Sequence, residues 1–211
     1  MKKIILLLVA LFTLSLAEGY AQSKALEKAR KKEYKTKIKE FEKEGYKVFG
    51  TSRSLEMALL LHYEKLDKMG DDGQEIVGIA SAFKSKNTGH QMALNSALIN
   101  YATKASSQLQ GRTVSDVHGE GVAAEGEFDK FYGAYQNHLQ AEIKGALSES
   151  FSVIKDNHNG TYEMQTYFVF SENAASKARL RALENAAKET AAAQEYARKI
   201  SDFINEPVKI D

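Results

Sequence analysis

An α+β fold is what the sequence predicts, with an antiparallel sheet carrying packed amphipathic helices and long helices at the N- and C-terminal ends. Three observations carry that prediction. Asn159-Gly160 sits between two strand-like segments, and both residues tolerate the positive φ that a type I′ hairpin turn needs. Gln74 to Phe83 is a largely apolar run of strand length. Several other segments place apolar residues at three- and four-residue steps, the period of a helix with one buried face.

Composition is globular, with 43% hydrophobic and 27% charged residues in a chain of 211, enough for one ordinary domain with a helical extension. A formal charge of +1 argues against a dedicated polyanion binder, and no nucleic-acid partner is expected. The chain has no cysteine, so stability must come from packing, and no thiol is present to accept a lipid at the mature N-terminus. One proline, Pro207, fits long uninterrupted helices.

Residues 1–21 read as a signal peptide. Lys2 and Lys3 form a basic start, Ile4 to Ala17 is apolar, and Gly19 and Ala21 put small residues at the −3 and −1 positions before Gln22. The apolar run is shorter than the ~20 residues that span a bilayer, so no transmembrane span is expected once the signal is removed. The expected address is outside the cytoplasm: periplasm, outer-membrane-associated or secreted. Residues 22–45 follow as a charged helix with a thin apolar stripe of Leu26, Tyr34, Ile38 and Phe41. From Lys24 to Lys47 it carries ten Lys/Arg against five Glu, a local charge of +5. Such a run reads as a solvated helix face or as adhesion to an anionic envelope surface.

Residues 46–171 make up the expected α+β domain, with strands near 46–51, 74–83, 149–157 and 161–171. Gly45 ends the charged helix, and Ser52 or Ser54 caps the next one, which runs to about Met69 before Gly70. Leu55, Leu59, His62, Leu66 and Met69 share its inner face. His62 reads there as a packed, hydrogen-bonded histidine, since nothing with metal-ligand spacing accompanies it. Asp71-Asp72-Gly73 is a turn, not a calcium loop, because Met69 and Asp72 occupy positions where an EF-hand starting at Asp67 needs a ligand and a glycine. In the strand that follows, Gly78 allows close approach of a neighbouring element. Thr88 and Gln91 form a capping box. The helix beyond it carries Leu94, Leu98, Tyr101, Ala105 and Leu109 on one face and is expected to stop near Gly111.

Thr113 to Glu127 reads as a Gly-rich, acidic, mobile loop. Gly119 to Ala124 matches the form G-x-G-x-x-A, but no βαβ unit surrounds it, and Glu120 would face a pyrophosphate with the wrong charge. Phe128, Phe131, Tyr132, Tyr135, Leu139, Ile143 and Leu147 then mark an amphipathic helix whose aromatic stripe reads as core. A two-residue turn at Asn159-Gly160 pairs Phe151 with Phe168, Val153 with Thr166 and Lys155 with Met164 on one face. The other face pairs Ser152 with Tyr167 and Ile154 with Gln165. Residues 172–211 form a long Ala-rich helix and tail, with a seam of Leu183, Ala186, Thr190, Ala193, Ala197, Ile200 and Ile204 at quasi-heptad spacing. A seam of small residues suits a partner surface or self-association in a coiled coil.

The strand Ile76-Val77-Gly78-Ile79-Ala80-Ser81-Ala82, the helix bearing Ala93, Ala97, Ala102, Ala105 and Leu109, and the later hairpin together resemble the LPP-twenty lipoprotein family. That family is related in pattern to the N-terminal domain of flagellar assembly protein T. The resemblance covers residues 74–171, with Ala80 where a second glycine is often seen and without the lipidation cysteine. It implies a small α+β envelope module with no catalytic residue to transfer.

The sequence therefore points to a non-catalytic bacterial cell-envelope or secreted protein acting through protein or surface interactions, with no cofactor. No catalytic, cofactor-binding or metal residue is assigned. G-x-S-x-G and H-E-x-x-H are absent and the five histidines are scattered. Two other readings stand beside it. One is a carrier of an apolar ligand in a pocket between the aromatic helix and the sheet. The other is an envelope hydrolase with a dispersed site, for which His118 and Glu120 are the available acid/base pair.

Overall fold

The structure, a computed structural model, describes residues 28, 30–117, 125–189, 204 and 207–208. The chain divides into two units, Met1–Gly45 and Tyr46–Asp211. In the first, residues 30–44 form helix α1, which ends at Gly45 with φ of 81°. The signal segment lies outside the described residues.

The second unit runs β1 (Lys47–Phe49), α2 (Leu55–Met69), a 3-10 turn (Gly70–Asp72), β2 (Gly73–Phe83), α3 (Lys86–Val117), α4 (Glu125–Lys144), β3 (Ser148–Asp156), β4 (Tyr162–Ser171) and α5 (Glu172–Glu189). The four strands form one antiparallel sheet in the order β1-β3-β4-β2. The fold is α+β, with the expected hairpin as its central strand pair. Ser54 caps α2, its hydroxyl accepting the Met57 N–H at 3.2 Å.

The strand period of two sorts side chains onto the sheet's two faces. Ile76, Gly78, Ala80, Met164, Thr166, Phe168 and Phe170 share one face and meet α3. A Cβ built on Gly78 would lie 1.9 Å from the Ala93 carbonyl oxygen, so β2 and α3 touch backbone to backbone. Glu75, Phe151 and Tyr167 lie on the opposite face under α2, where the buried His62 packs edge-on against the rings of Phe151 and Tyr167. The expected face of α2 is the buried one, and the His62 imidazole meets the Glu75 carboxylate.

Helices α3, α4 and α5 build the larger core. Tyr101, Phe131, Tyr135, Leu139 and Ile143 join Phe168, Phe170 and the α5 residues Ala175, Ala178, Ala182 and Leu183 in one buried cluster. Arg179 lies within it at 2% exposure. Its guanidinium donates to the Tyr101 hydroxyl at 2.6 Å, to Glu172 at 2.5 Å and to the Ile204 carbonyl at 2.9 Å. Burial pushes the Tyr101 hydroxyl up to about 12. Asp72 reaches from the 3-10 turn to the start of α5, accepting from the Ser171 hydroxyl at 2.5 Å and the Asn173 N–H at 2.9 Å.

These two bonds hold the Asp72 carboxyl below its ordinary value of 3.8. A depressed folded value adds stability that is present above the ordinary carboxylate range and lost as pH falls through it. Melting temperatures between pH 7 and pH 2 should therefore show Asp72→Ala less stable than wild type at neutral pH, with the difference closing in acid.

Four expectations are corrected. First, the capping box at Thr88 and Gln91 is inside α3. Ser85 is the residue that starts the helix, its carbonyl accepting from Gly89 at 2.9 Å and its hydroxyl from Thr88 at 3.5 Å. Close packing of Gly89 on the Phe83 ring, which an added Cβ would meet at 2.3 Å, draws the helix start back toward the strand. Second, α3 does not stop near Gly111 but runs to Val117. The expected loop shrinks accordingly, and His118, Glu120 and the Gly119–Ala124 stretch lie outside the described residues.

Third, the hairpin register is shifted by one. Phe151 pairs with Tyr167, Val153 with Gln165, Lys155 with Glu163, Ser152 with Thr166 and Ile154 with Met164. Asn157 donates to the Thr161 carbonyl at 3.0 Å, leaving a three-residue loop of His158, Asn159 and Gly160. His158 accepts φ of 58° because the Asp156 carboxylate takes its N–H at 2.8 Å, and Gly160 takes φ of 81°. Gly160→Val should cost about 1 kcal/mol or more, because a β-branched residue resists that conformation. Urea unfolding of the variant checks it.

Fourth, one straight helix from residue 172 to residue 205 is excluded. Twenty-five residues of helix would put Ile204 about 37 Å from Arg179, yet the two are hydrogen-bonded at 2.9 Å. The described part of the seam, Leu183, Ala186 and Ile204, is buried in the chain's own core. Residues 190–203, which hold the rest of the seam, lie outside the described residues.

Candidate interaction cleft

A difference in strand length creates the cleft. β1 pairs with β3 only from Lys47↔Ile154 to Phe49↔Ser152, whereas β3 begins at Ser148. Gly50, at φ of 77°, turns the chain away, and the bend through Arg53 delivers Ser54 to its capping position on α2. Among the described residues, no strand therefore lies beside the outer edge of residues 148–151. β4 covers only their inner edge.

The space left by β1 is a cleft of about 630 Å³. Glu149 to Ser152 form one side of it. Ala58 and Leu61 of α2 and Asn87, His90 and Gln91 of α3 reach into it from helices on opposite faces of the sheet, and Phe49, Thr51 and Arg53 complete the lining. Apolar side chains thus alternate with amide, imidazole, guanidinium and hydroxyl groups, the mixture of bulk and placed polar groups that fixes a ligand's orientation.

A bulge sets the polar network. In a regular strand Glu149 and Ser152, three apart, would point to opposite faces. The register slips between Glu149 and Phe151, and that extra residue brings both to the same face. Glu149 then accepts from the Ser152 hydroxyl at 2.6 Å and meets His90 Nε2 at 2.8 Å. Ser152 is also 3.0 Å from the Thr166 hydroxyl, and both residues are buried. Lys65 of α2 donates to the Glu149 carbonyl at 3.2 Å and to the Ser148 hydroxyl at 3.3 Å.

Serine, histidine and glutamate are together here in the wrong order for acyl transfer. A nucleophilic serine needs the imidazole against its hydroxyl and the carboxylate behind the imidazole. In this cleft the carboxylate stands between them and takes both. The geometry instead holds the His90 ring and the Glu149 side chain against each other. Among the described residues, no group of three or more His, Asp or Glu side chains is arranged to hold a metal.

Of the residues weighed from sequence, His62 is buried beneath α2 with Glu75, and its Nδ1 has no hydrogen-bond partner. Phe131, Tyr132 and Tyr135 of the aromatic stripe of α4 pack into the helical core with α3 and α5. None of them lines the cleft. Arg53, His90 and Glu149 escaped sequence reasoning, because 59 residues separate His90 from Glu149 and no motif joins them. A charged residue near the start of a strand, as Glu149 is in β3, is the one signal that marked this place as an exposed edge.

No family model matches the chain, and no curated protein matches it. Among solved structures it is similar to the 2.3 Å crystal structure of hypothetical protein FTT1539c from Francisella tularensis, with 16% identity and a TM-score of 0.30. The match covers 64% of this chain and 51% of that one, so the chain spans about half the length of that protein.

Proposed function

We propose that this is a non-catalytic binding protein of the bacterial cell envelope, exported by its N-terminal segment, whose cleft takes an extended stretch of a partner protein as a short strand beside β3. The single observation that carries the reading is the outer edge of residues 148–151, left without a strand where β1 stops and lined by side chains suited to a peptide. An edge of this kind supplies backbone donors and acceptors for affinity, while pockets for alternate side chains supply specificity. Phe49, Leu61 and Phe151 would receive apolar side chains, and Arg53, Asn87 and Gln91 polar ones.

The mixed lining of the cleft suits a peptide, whereas the carrier reading needs a pocket between the aromatic helix and the sheet, where Phe131, Tyr135, Phe168 and Phe170 belong to one buried cluster. Export rests on Lys2, Lys3, the run from Ile4 to Ala17 and the small residues Gly19 and Ala21. The resemblance to LPP-twenty lipoproteins, with no catalytic residue to carry over, supports the same reading. Among the described residues, no helix is long and apolar enough to cross a membrane.

Leu61→Arg and Gln91→Arg each push a long cation into the cleft without touching the core. Wild-type protein immobilised in envelope extract should retain a partner that each variant retains at least about tenfold less, the loss of roughly one good anchor. Unchanged retention by both variants, with unchanged circular dichroism, would refute the assignment.

A further inference from the structure

Helix α1 sorts its charges by face. At 3.6 residues per turn, Lys28, Lys31, Lys32, Lys35, Lys39 and Lys43 fall within an arc of about 120°, and all six are exposed. Glu33, Glu40 and Glu44 gather in a second arc of about 40°, and Tyr34, Ile38 and Phe41 in a third of about 60°. Ile38 and Phe41 are buried, whereas the six lysines of the basic arc are exposed. Only Glu42, at one margin, interrupts the basic arc. The first five lysines share a shallow groove along the helix with Thr36.

A helix whose charges serve only solvation gains by interleaving acids and bases at i,i+3 and i,i+4. Along the lysine arc those spacings also join lysine to lysine, at 28/31, 28/32, 31/35, 32/35, 35/39 and 39/43, each pair mildly unfavourable in isolation, while Lys39/Glu42 and Glu40/Lys43 bring an acid to its last two members. An anionic surface turns these repulsions into a shared attraction. The stripe is about 22 Å long and straight, so a plane meets all six side chains at once.

We propose that this stripe docks the protein on an anionic phospholipid surface. Its chemistry favours lipid over nucleic acid. Every cation in the arc is a lysine, a mobile point charge suited to the diffuse potential of a headgroup layer, and not an arginine fork suited to individual phosphates and bases. The arc also contains no aromatic ring on which a base could stack. The surface is distinct from the β3 cleft and independent of what fills it.

The test is sedimentation of the full chain with vesicles of phosphatidylcholine alone or with about 30% phosphatidylglycerol, the neutral vesicles measuring any contribution of the apolar N-terminal segment. One lysine near an anionic leaflet is worth about fivefold in partitioning. Lys28→Gln/Lys32→Gln/Lys35→Gln/Lys39→Gln should therefore lower anionic binding more than about a hundredfold. The matched variant Lys84→Gln/Lys130→Gln/Lys144→Gln/Lys177→Gln should retain it within about threefold.

Glutamine is nearly as good a helix former as lysine. Should the first variant nevertheless fail to fold, wild-type binding must still fall steeply between about 50 and 500 mM salt as the screening length shrinks. Equal losses in the two variants, salt-independent binding, or no preference for anionic over neutral vesicles would overturn the proposal. So would tight binding to heparin with no vesicle binding, which would reassign the stripe to a soluble polyanion.

Discussion

Replacing Arg179 by alanine is expected to cost the fold about 3–5 kcal/mol, the penalty of breaking a buried ion pair from one side. Three acceptors depend on that one side chain: the Glu172 carboxylate, the Tyr101 hydroxyl and the Ile204 carbonyl. Glu172 is only 16% exposed at its side chain, so its charge is left with little solvent to replace the guanidinium. Removing both charges is a different matter, because an uncharged pair of similar volume avoids the desolvation penalty altogether. Arg179→Met with Glu172→Gln should thus recover much of the loss, giving a coupling of about 1–3 kcal/mol in a double-mutant cycle. Urea unfolding of the two single variants and the double one decides it. Additive effects would mean that the two charges of α5 are not coupled in the fold.

Gly78→Ala is expected to destabilise by about 2–3 kcal/mol, although alanine normally stiffens the unfolded chain to advantage. That advantage is about 0.4–1 kcal/mol. Against it stands a Cβ placed 1.9 Å from the Ala93 carbonyl oxygen and 2.7 Å from its carbon. Both atoms are backbone, so no side chain can swing aside. Strand and helix must separate, and overpacking of this kind costs about 1–3 kcal/mol or more. Gly133→Ala supplies the opposite sign. On α4 an added Cβ at that position meets nothing within 4 Å, and alanine in an exposed helix interior gains about 0.5–1 kcal/mol over glycine. Thermal unfolding of the two variants should move in opposite directions.

Local chemistry carried most of the element assignments. The stripes of α2, α3 and α4, the cap at Ser54, the close approach at Gly78 and the hairpin all follow from signals within a few residues of each other. The misread details depended on side chains competing for backbone groups. Asp156 and Asn159 stabilise a three-residue loop by accepting the N–H groups of His158 and Thr161. That extra residue moves every cross-strand pair by one.

Arg179 shows how a visible signal can be discarded. It stands four residues before Leu183, on the seam of α5, but a charged residue there reads as solvent-facing until three helices and the segment near Ile204 are known to surround it. The cleft was illegible for a stronger reason. It exists because β1 stops three residues after it starts and because β3, far along the chain, is its neighbour in the sheet. Neither fact has a local signature.

The claim that β3's outer edge receives a partner strand is tested most directly by a photo-reactive phenylalanine analogue placed at Ser150, which lines the cleft. The same analogue at Lys177, exposed on α5, is the reference. Irradiation in the native host should give a partner adduct from position 150 that position 177 does not give, and Leu61→Arg in the same chain should abolish it. Identical adducts from both positions, or none from position 150, would contradict the account.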